Sequence, residues 1–173
     1  MELGITIPLQ KRLKIKAPPY GQRIDLFFCW ELHVIRLQGR DTLVAVNGAN
    51  RFGVVLWGME KPQWDSLASV TEEGIRRGFR SEGYTKRQID MYFNKAAEMA
   101  ITKTHGRRPV AMLNRMVEYL RLLPIGADKG ELYQEAHCHN VNREICHAAG
   151  FSDYGFPVEF LGEDMKRVGI LSE

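Results

Sequence analysis

Cysteine is scarce in this chain: Cys29, Cys138 and Cys146 are the three among 173 residues. The number is odd, and neither a C-x2-C pair nor an H-x3–5-H pair occurs. Those absences exclude a disulfide-stapled mini-domain and a standard zinc finger. No apolar run approaches the roughly 18 residues that a membrane helix requires. The opening stretch M-E-L-G-I-T-I-P-L-Q has neither the basic nor the long apolar region of a signal peptide. There is no internal repeat, no low-complexity segment and no G-x-x-x-x-G-K-[ST] phosphate loop. Together these absences lead us to expect a reduced, soluble protein of the bacterial cytoplasm.

What is present is an ordinary globular balance, 45% hydrophobic and 26% charged, with enough length to bury a core unaided. The formal charge of +3 is unevenly spread. Residues 1–127 hold 20 Lys/Arg against 12 Asp/Glu, whereas residues 128–173 hold 4 against 9. An anionic partner for the basic part, or an acidic tail folded back on it, fits this asymmetry; so does plain solubility.

Residues 28–58 carry the strongest pattern. Three β-branched, apolar runs are divided by Gly39-Arg40-Asp41 and Asn47-Gly48-Ala49-Asn50, as in a β-meander. Ile5, Ile7 and Leu9 alternate like an edge strand. On the first meander strand Trp30, Leu32 and Val34 share one face. Cys29, Glu31, His33, Ile35 and Leu37 share the other, a mixed face that suggests partial cover. Beyond Pro62 the period turns helical: Trp64, Leu67, Thr71, Ile75 and Phe79 form one stripe. Thr85-Lys86-Arg87-Gln88 reads as a capping box ahead of a helix burying Ile89, Tyr92, Phe93, Ala96 and Met99. A short strand is expected at 101–104. A third helix should follow, with Pro109 at its first position and Val110, Leu113, Val117 and Leu120 inward. A fourth is expected within 131–148. The expected fold is α+β: an antiparallel meander of three to five strands with three to four helices on one face. Residues 1–125 would form the core domain and 126–173 a helical and irregular extension packed on it.

The succession F-x-C-W-x-L-x-V-I-x-L, V-x-V-N-x-x-x-R-F-x-V-V-L-W-G and T-K-T-x-x-R-x-x-x-A-x-x-N resembles an uncharacterised family of small bacterial cytoplasmic proteins, a domain of unknown function. The resemblance covers about residues 1–120. It implies a fold and little chemistry, and it does not extend to the Cys/His-rich stretch beyond residue 130.

Three groups of residues carry chemistry. Thr102, Lys103, Thr104, Arg107, Arg108 and Asn114 surround a strand-to-helix junction, where free amides, the helix dipole and cations suit an anion. A solvated loop is the competing reading. Asn47, Asn50 and Arg51 lie at the second hairpin turn, where Asn is also favoured for its backbone preferences alone. If that turn and the Arg107–Arg108 loop share one end of the sheet, an anion site gains weight. His137, Cys138, His139, Cys146 and His147 are thiols and imidazoles suited to zinc, at a spacing no standard site uses; buried cysteines and surface histidines explain them equally. The aromatic residues Trp30, Trp57, Trp64, Phe27 and Phe28 sit at core periodicities. Lys11 to Lys16 fits either a nucleic-acid arm or a solvated edge. No cofactor is demanded by any pattern.

The first functional expectation is a binding or accessory protein for an anionic partner: a nucleic acid, a nucleotide or an acidic protein. The alternatives are an enzyme acting on a phosphate-bearing substrate, with His105 or Glu98 as base, and a zinc-stabilised interaction protein. A homodimer is a further candidate assembly.

Overall fold

Gln38 and Gly39 both take positive φ, 47° and 80°, the combination that lets a two-residue turn follow the twist of a hairpin. They join strand β2 (Cys29–Leu37) to β3 (Arg40–Asn47), one residue earlier than the Gly39-Arg40-Asp41 turn expected. β3 pairs antiparallel with β4 (Gly53–Trp57), so the meander is present. In this computed structural model, which describes residues 1–172, the meander is only part of the main sheet. Strand β1 (Glu2–Ile5) pairs parallel with β2 on one side and with β5 (Ala100–Lys103) on the other. The order is β4-β3-β2-β1-β5, a mixed sheet rather than the antiparallel one expected.

The edge strand read from Ile5, Ile7 and Leu9 is corrected by this topology. Its first residue ends an interior strand, and Ile7–Leu13 is helix α1, with Pro8 in the first turn. Parallel strands need cover on both faces, and all four β1 residues are buried.

Seven α-helices occur among the described residues, not three to four, and they cover both faces of the sheet. On one face lie Leu3, Trp30, Ala45, Val54 and Leu56. Helix α3 (Leu67–Ser81), which follows the short α2 (Lys61–Asp65), reaches this face through Gly74 and Gly78. A Cβ on Gly74 would stand 3.0 Å from the Val54 side chain. Helix α4 (Lys86–Ala96) begins with the expected Thr85/Gln88 capping box. It places Tyr92 against Phe79, ring edge to face at 5.0 Å.

On the opposite face lie Glu2, Gly4, Cys29, Glu31, Val44, Val46 and Gly53. Helix α5 (Arg107–Leu122) packs there through Met112, Leu113, Met116, Val117 and Leu120. Met116 occupies the space that a side chain on Gly53 would need. Pro109 is the third residue of this helix rather than the first, and Val110 is only half-buried. The face expected to be partly solvated is therefore closed, with Cys29 and Glu31 fully buried.

Beyond Leu122 the chain runs along the free edge of β4. Trp57 N donates to Leu132 O (2.8 Å) and Gln134 N to Val55 O (3.0 Å), which satisfies edge groups that would otherwise face water. The helix expected within 131–148 is shorter. Helix α6 (Glu135–Val141) gives way to a small hairpin of β6 (Cys146–His147) and β7 (Tyr154–Gly155), and then to α7 (Pro157–Arg167). Asn142 ties α6 to β4 by accepting from Gly53 N (2.6 Å) and donating to Gly53 O (2.8 Å). No helix of the described residues is long and apolar enough to cross a membrane.

Candidate functional site

The β3–β4 turn is built by Asn47. Its Oδ1 accepts from Ala49 N (3.0 Å) and Asn50 N (3.3 Å), and its Nδ2 donates to Phe27 O (2.8 Å). Asn50 is held in turn, donating to Asp164 Oδ2 on α7 (2.9 Å). Burial raises the Asp164 carboxyl above its ordinary pKa, against the pull of Arg167 and Asn50. Both asparagines are fully buried and serve the turn.

What the turn presents is Arg51. It has left-handed backbone (φ 63°), a conformation uncommon for a residue with a side chain. Its side chain is 2% exposed and forms an ion pair through Nη2 with Glu144. Nε and Nη1 have no partner. A buried donor without a partner costs about 1–3 kcal/mol, and more when charged.

Arg51 lines a cleft of about 300 Å³. One wall is α5, whose Arg108 and Arg115 lie seven residues apart, on nearly the same helical side, with Ala111 and Met112 between them. The other wall is the β6–β7 hairpin and the residues leading to it, with Glu144, Ile145, Cys146, His147 and Tyr154. Gly150 N donates to Ala49 O (2.8 Å), which docks the hairpin on the turn that carries Arg51. Burial pushes the Cys146 thiol up, with the neighbouring Arg51 pulling the other way. Three guanidiniums face one carboxylate here. The arrangement suits a planar or tetrahedral oxyanion, which guanidinium N–H groups grip in pairs.

Of the residues expected to bind an anion, Arg51 and Arg108 meet in this cleft. Thr102, Lys103 and Thr104 lie outside its lining. Thr102 is buried and donates to Lys103 O (2.9 Å), and the Lys103 ammonium lies 4.0 Å above the Tyr20 ring. Thr104 is half-buried, while Arg107 and Asn114 are exposed on α5. Sequence reasoning passed over Glu144 and Tyr154 as site residues.

The five Cys/His candidates of the C-terminal stretch are not brought together. Cys138 is buried under β4, where Val55 N donates to its Sγ (3.2 Å), and burial pushes its thiol up to about 12. His137 is buried, His139 is exposed, and Cys146 and His147 belong to the cleft wall.

A different group converges instead, on the α5 side of the sheet. His105, in the loop between β5 and α5, meets Glu31 Oε1 through Nδ1 (2.7 Å) and Glu2 Oε2 through Nε2 (2.9 Å). Its backbone N also donates to Glu31 Oε1 (3.0 Å). Burial alone would lower the imidazole pKa. The Cys29 thiol and the Glu31 carboxylate outweigh it and raise the value to about 10. Burial opposes ionisation of Glu2, yet the amides of Gln22 and Arg23 and the His105 ring hold its carboxyl below the usual range. Among the described residues, Glu2, Cys29 and His105 form the one group of three or more His, Cys, Asp or Glu whose ligand atoms all lie within 4.8 Å of one another.

No protein of curated function and no solved structure matches the chain. A family match covers residues 2–160 and includes β1 to β7, Arg51, Arg108, Arg115 and the Glu2–Glu31–His105 cluster. By that match the chain belongs to a family described as a domain of unknown function, DUF6933.

Proposed function

We propose that this protein binds a small phosphate-bearing anion of nucleotide size in the cleft between α5 and the β6–β7 hairpin. The observation that carries the reading is Arg51, a buried guanidinium with two unpartnered nitrogens on a cleft that it shares with Arg108 and Arg115. An oxyanion supplies the acceptors that Nε and Nη1 lack, and the surplus positive charge draws it in. About 300 Å³ is the lower end of small-molecule sites, which favours a compact ligand over an extended polymer. Met112, Ile145 and Tyr154 offer apolar wall for a ring attached to the phosphate.

The proposal is binding rather than the His105- or Glu98-based catalysis considered from the sequence, since neither residue lines the cleft. The test is a thermal-shift survey with inorganic phosphate, nucleoside monophosphates, a dicarboxylate and a short oligonucleotide, at low and high salt. Phosphate and nucleotide should raise the melting temperature, less so at high salt. Stabilisation by the oligonucleotide alone would contradict the small-ligand reading.

A further inference from the structure

We propose that Glu2, Cys29 and His105 are ligands of a transition-metal site, with zinc as the metal their chemistry suits. Carboxylate oxygen, thiolate sulfur and imidazole nitrogen are the three donor types of protein zinc sites. Glu2 Oε2 lies 2.9 Å from His105 Nε2 and 4.0 Å from Cys29 Sγ. Bonds of about 2.0–2.3 Å in a tetrahedron set ligand atoms about 3.5 Å apart, so a modest side-chain adjustment admits the ion. Thr102 Oγ1, 3.4 Å from Nε2, or a water would complete the coordination.

Glu31 stands where a metal-bound histidine is usually oriented. It takes the other ring nitrogen, Nδ1, and also the His105 backbone amide. Its second oxygen, Oε2, is buried without a partner in a side chain with no exposed surface. The cluster is thus over-supplied with acceptors. Among the described residues Glu2 and Glu31 have ion pairs with His105 alone. Even a protonated imidazole leaves one carboxylate charge over among largely buried side chains. A divalent cation that displaces the protons of the imidazole and the thiol sits amid that charge.

The backbone is shaped around the same point. A Cβ on Gly4 would stand 2.8 Å from Glu31 Oε2 and 2.9 Å from His105 Nδ1. One on Gly21 would overlap Glu2 Oε2. The amides of Gln22 and Arg23 hold Glu2 Oε1 (2.7 and 3.1 Å) and leave Oε2 for the metal.

The experiment is a cobalt(II) titration of chelator-treated full-length protein, followed by zinc competition. The expected result is one equivalent of cobalt, d–d bands of a four-coordinate ion and a thiolate-to-cobalt charge-transfer band. Zinc should abolish the spectrum. Cys29→Ser should remove the charge-transfer band, whereas Cys146→Ser should keep it. Glu31→Gln, checked for folding by circular dichroism, should weaken zinc about 10–100-fold, as loss of an orienting carboxylate does. The proposal is overturned if folded wild-type protein gives no cobalt spectrum, or if the charge-transfer band survives Cys29→Ser.

Discussion

Arg51 gives Nη2 to Glu144 and keeps Nε and Nη1 unpaired, in a side chain only 2% exposed. Removing Glu144, itself 28% exposed, leaves the buried Arg51 guanidinium without its carboxylate. Glu144→Ala should therefore lower stability by about 1–3 kcal/mol in urea unfolding. Inorganic phosphate should recover part of that loss, and so should stabilise Glu144→Ala more than wild type. Equal stabilisation of the two proteins would separate Arg51 from the anion.

Asn47 distinguishes scaffold from site. It makes three hydrogen bonds within the turn and to Phe27, and it does not line the cleft. Asn47→Ala should cost about 1–3 kcal/mol for the groups left unpaired. Phosphate binding measured under native conditions should fall only in proportion to the unfolded fraction. A selective loss of binding in fully folded Asn47→Ala would return this residue to the site.

Tyr92 is the hub of the other face. Trp30 Nε1 donates to its hydroxyl (2.9 Å), and that hydroxyl donates to Phe27 O (2.9 Å). Burial raises its pKa far above the ordinary tyrosine value, so it stays a neutral donor. Tyr92→Phe keeps the ring packing and strands the buried Trp30 N–H, while Phe27 O keeps its bond from Asn47, at about 1–3 kcal/mol. Denaturant melts with an unchanged m-value should show the loss; no change would mean that Trp30 Nε1 does not depend on the hydroxyl.

His33 sets a pH dependence. Burial lowers its pKa below the ordinary 6.5, and Arg121 on α5 adds to the effect. Its Nδ1 meets Thr6 Oγ1 at 2.8 Å. The unfolded chain then binds the proton more readily than the folded one. The stability that His33 contributes is present above pH 6.5 and is lost as pH falls through its folded pKa. Unfolding free energies across about pH 5–8 should show this slope in wild type and a flatter one in His33→Gln.

The elements that were legible in the sequence are those specified locally. The meander follows from β-branched runs and turn residues, and α4 from its Thr85/Gln88 capping box. The mixed sheet was not legible. Glu2–Ile5 is too short to show a period, and its parallel pairing with β2 and β5 joins residues far apart in sequence. Helices on both faces follow from that buried interior strand. For the cleft, Arg51 and Arg108 stood out separately as cations at a turn and a helix start. Their meeting depends on the packing of α5 across the sheet, with Met116 against Gly53, which no local pattern encodes. The Glu2–Glu31–His105 cluster left one trace, an acidic residue at an inward strand position.

The anion cleft is the central claim, and isothermal titration with inorganic phosphate on wild type and on the Arg108→Ala/Arg115→Ala double variant tests it most directly. Arg115 is exposed on α5 and Arg108 lies near its start, so the variant should fold and melt as wild type does. The account predicts saturable one-to-one binding to wild type that weakens with salt, and at least a tenfold weaker affinity in the variant, about 1.4 kcal/mol. Equal affinity in the two proteins, or no binding to wild type, would contradict it.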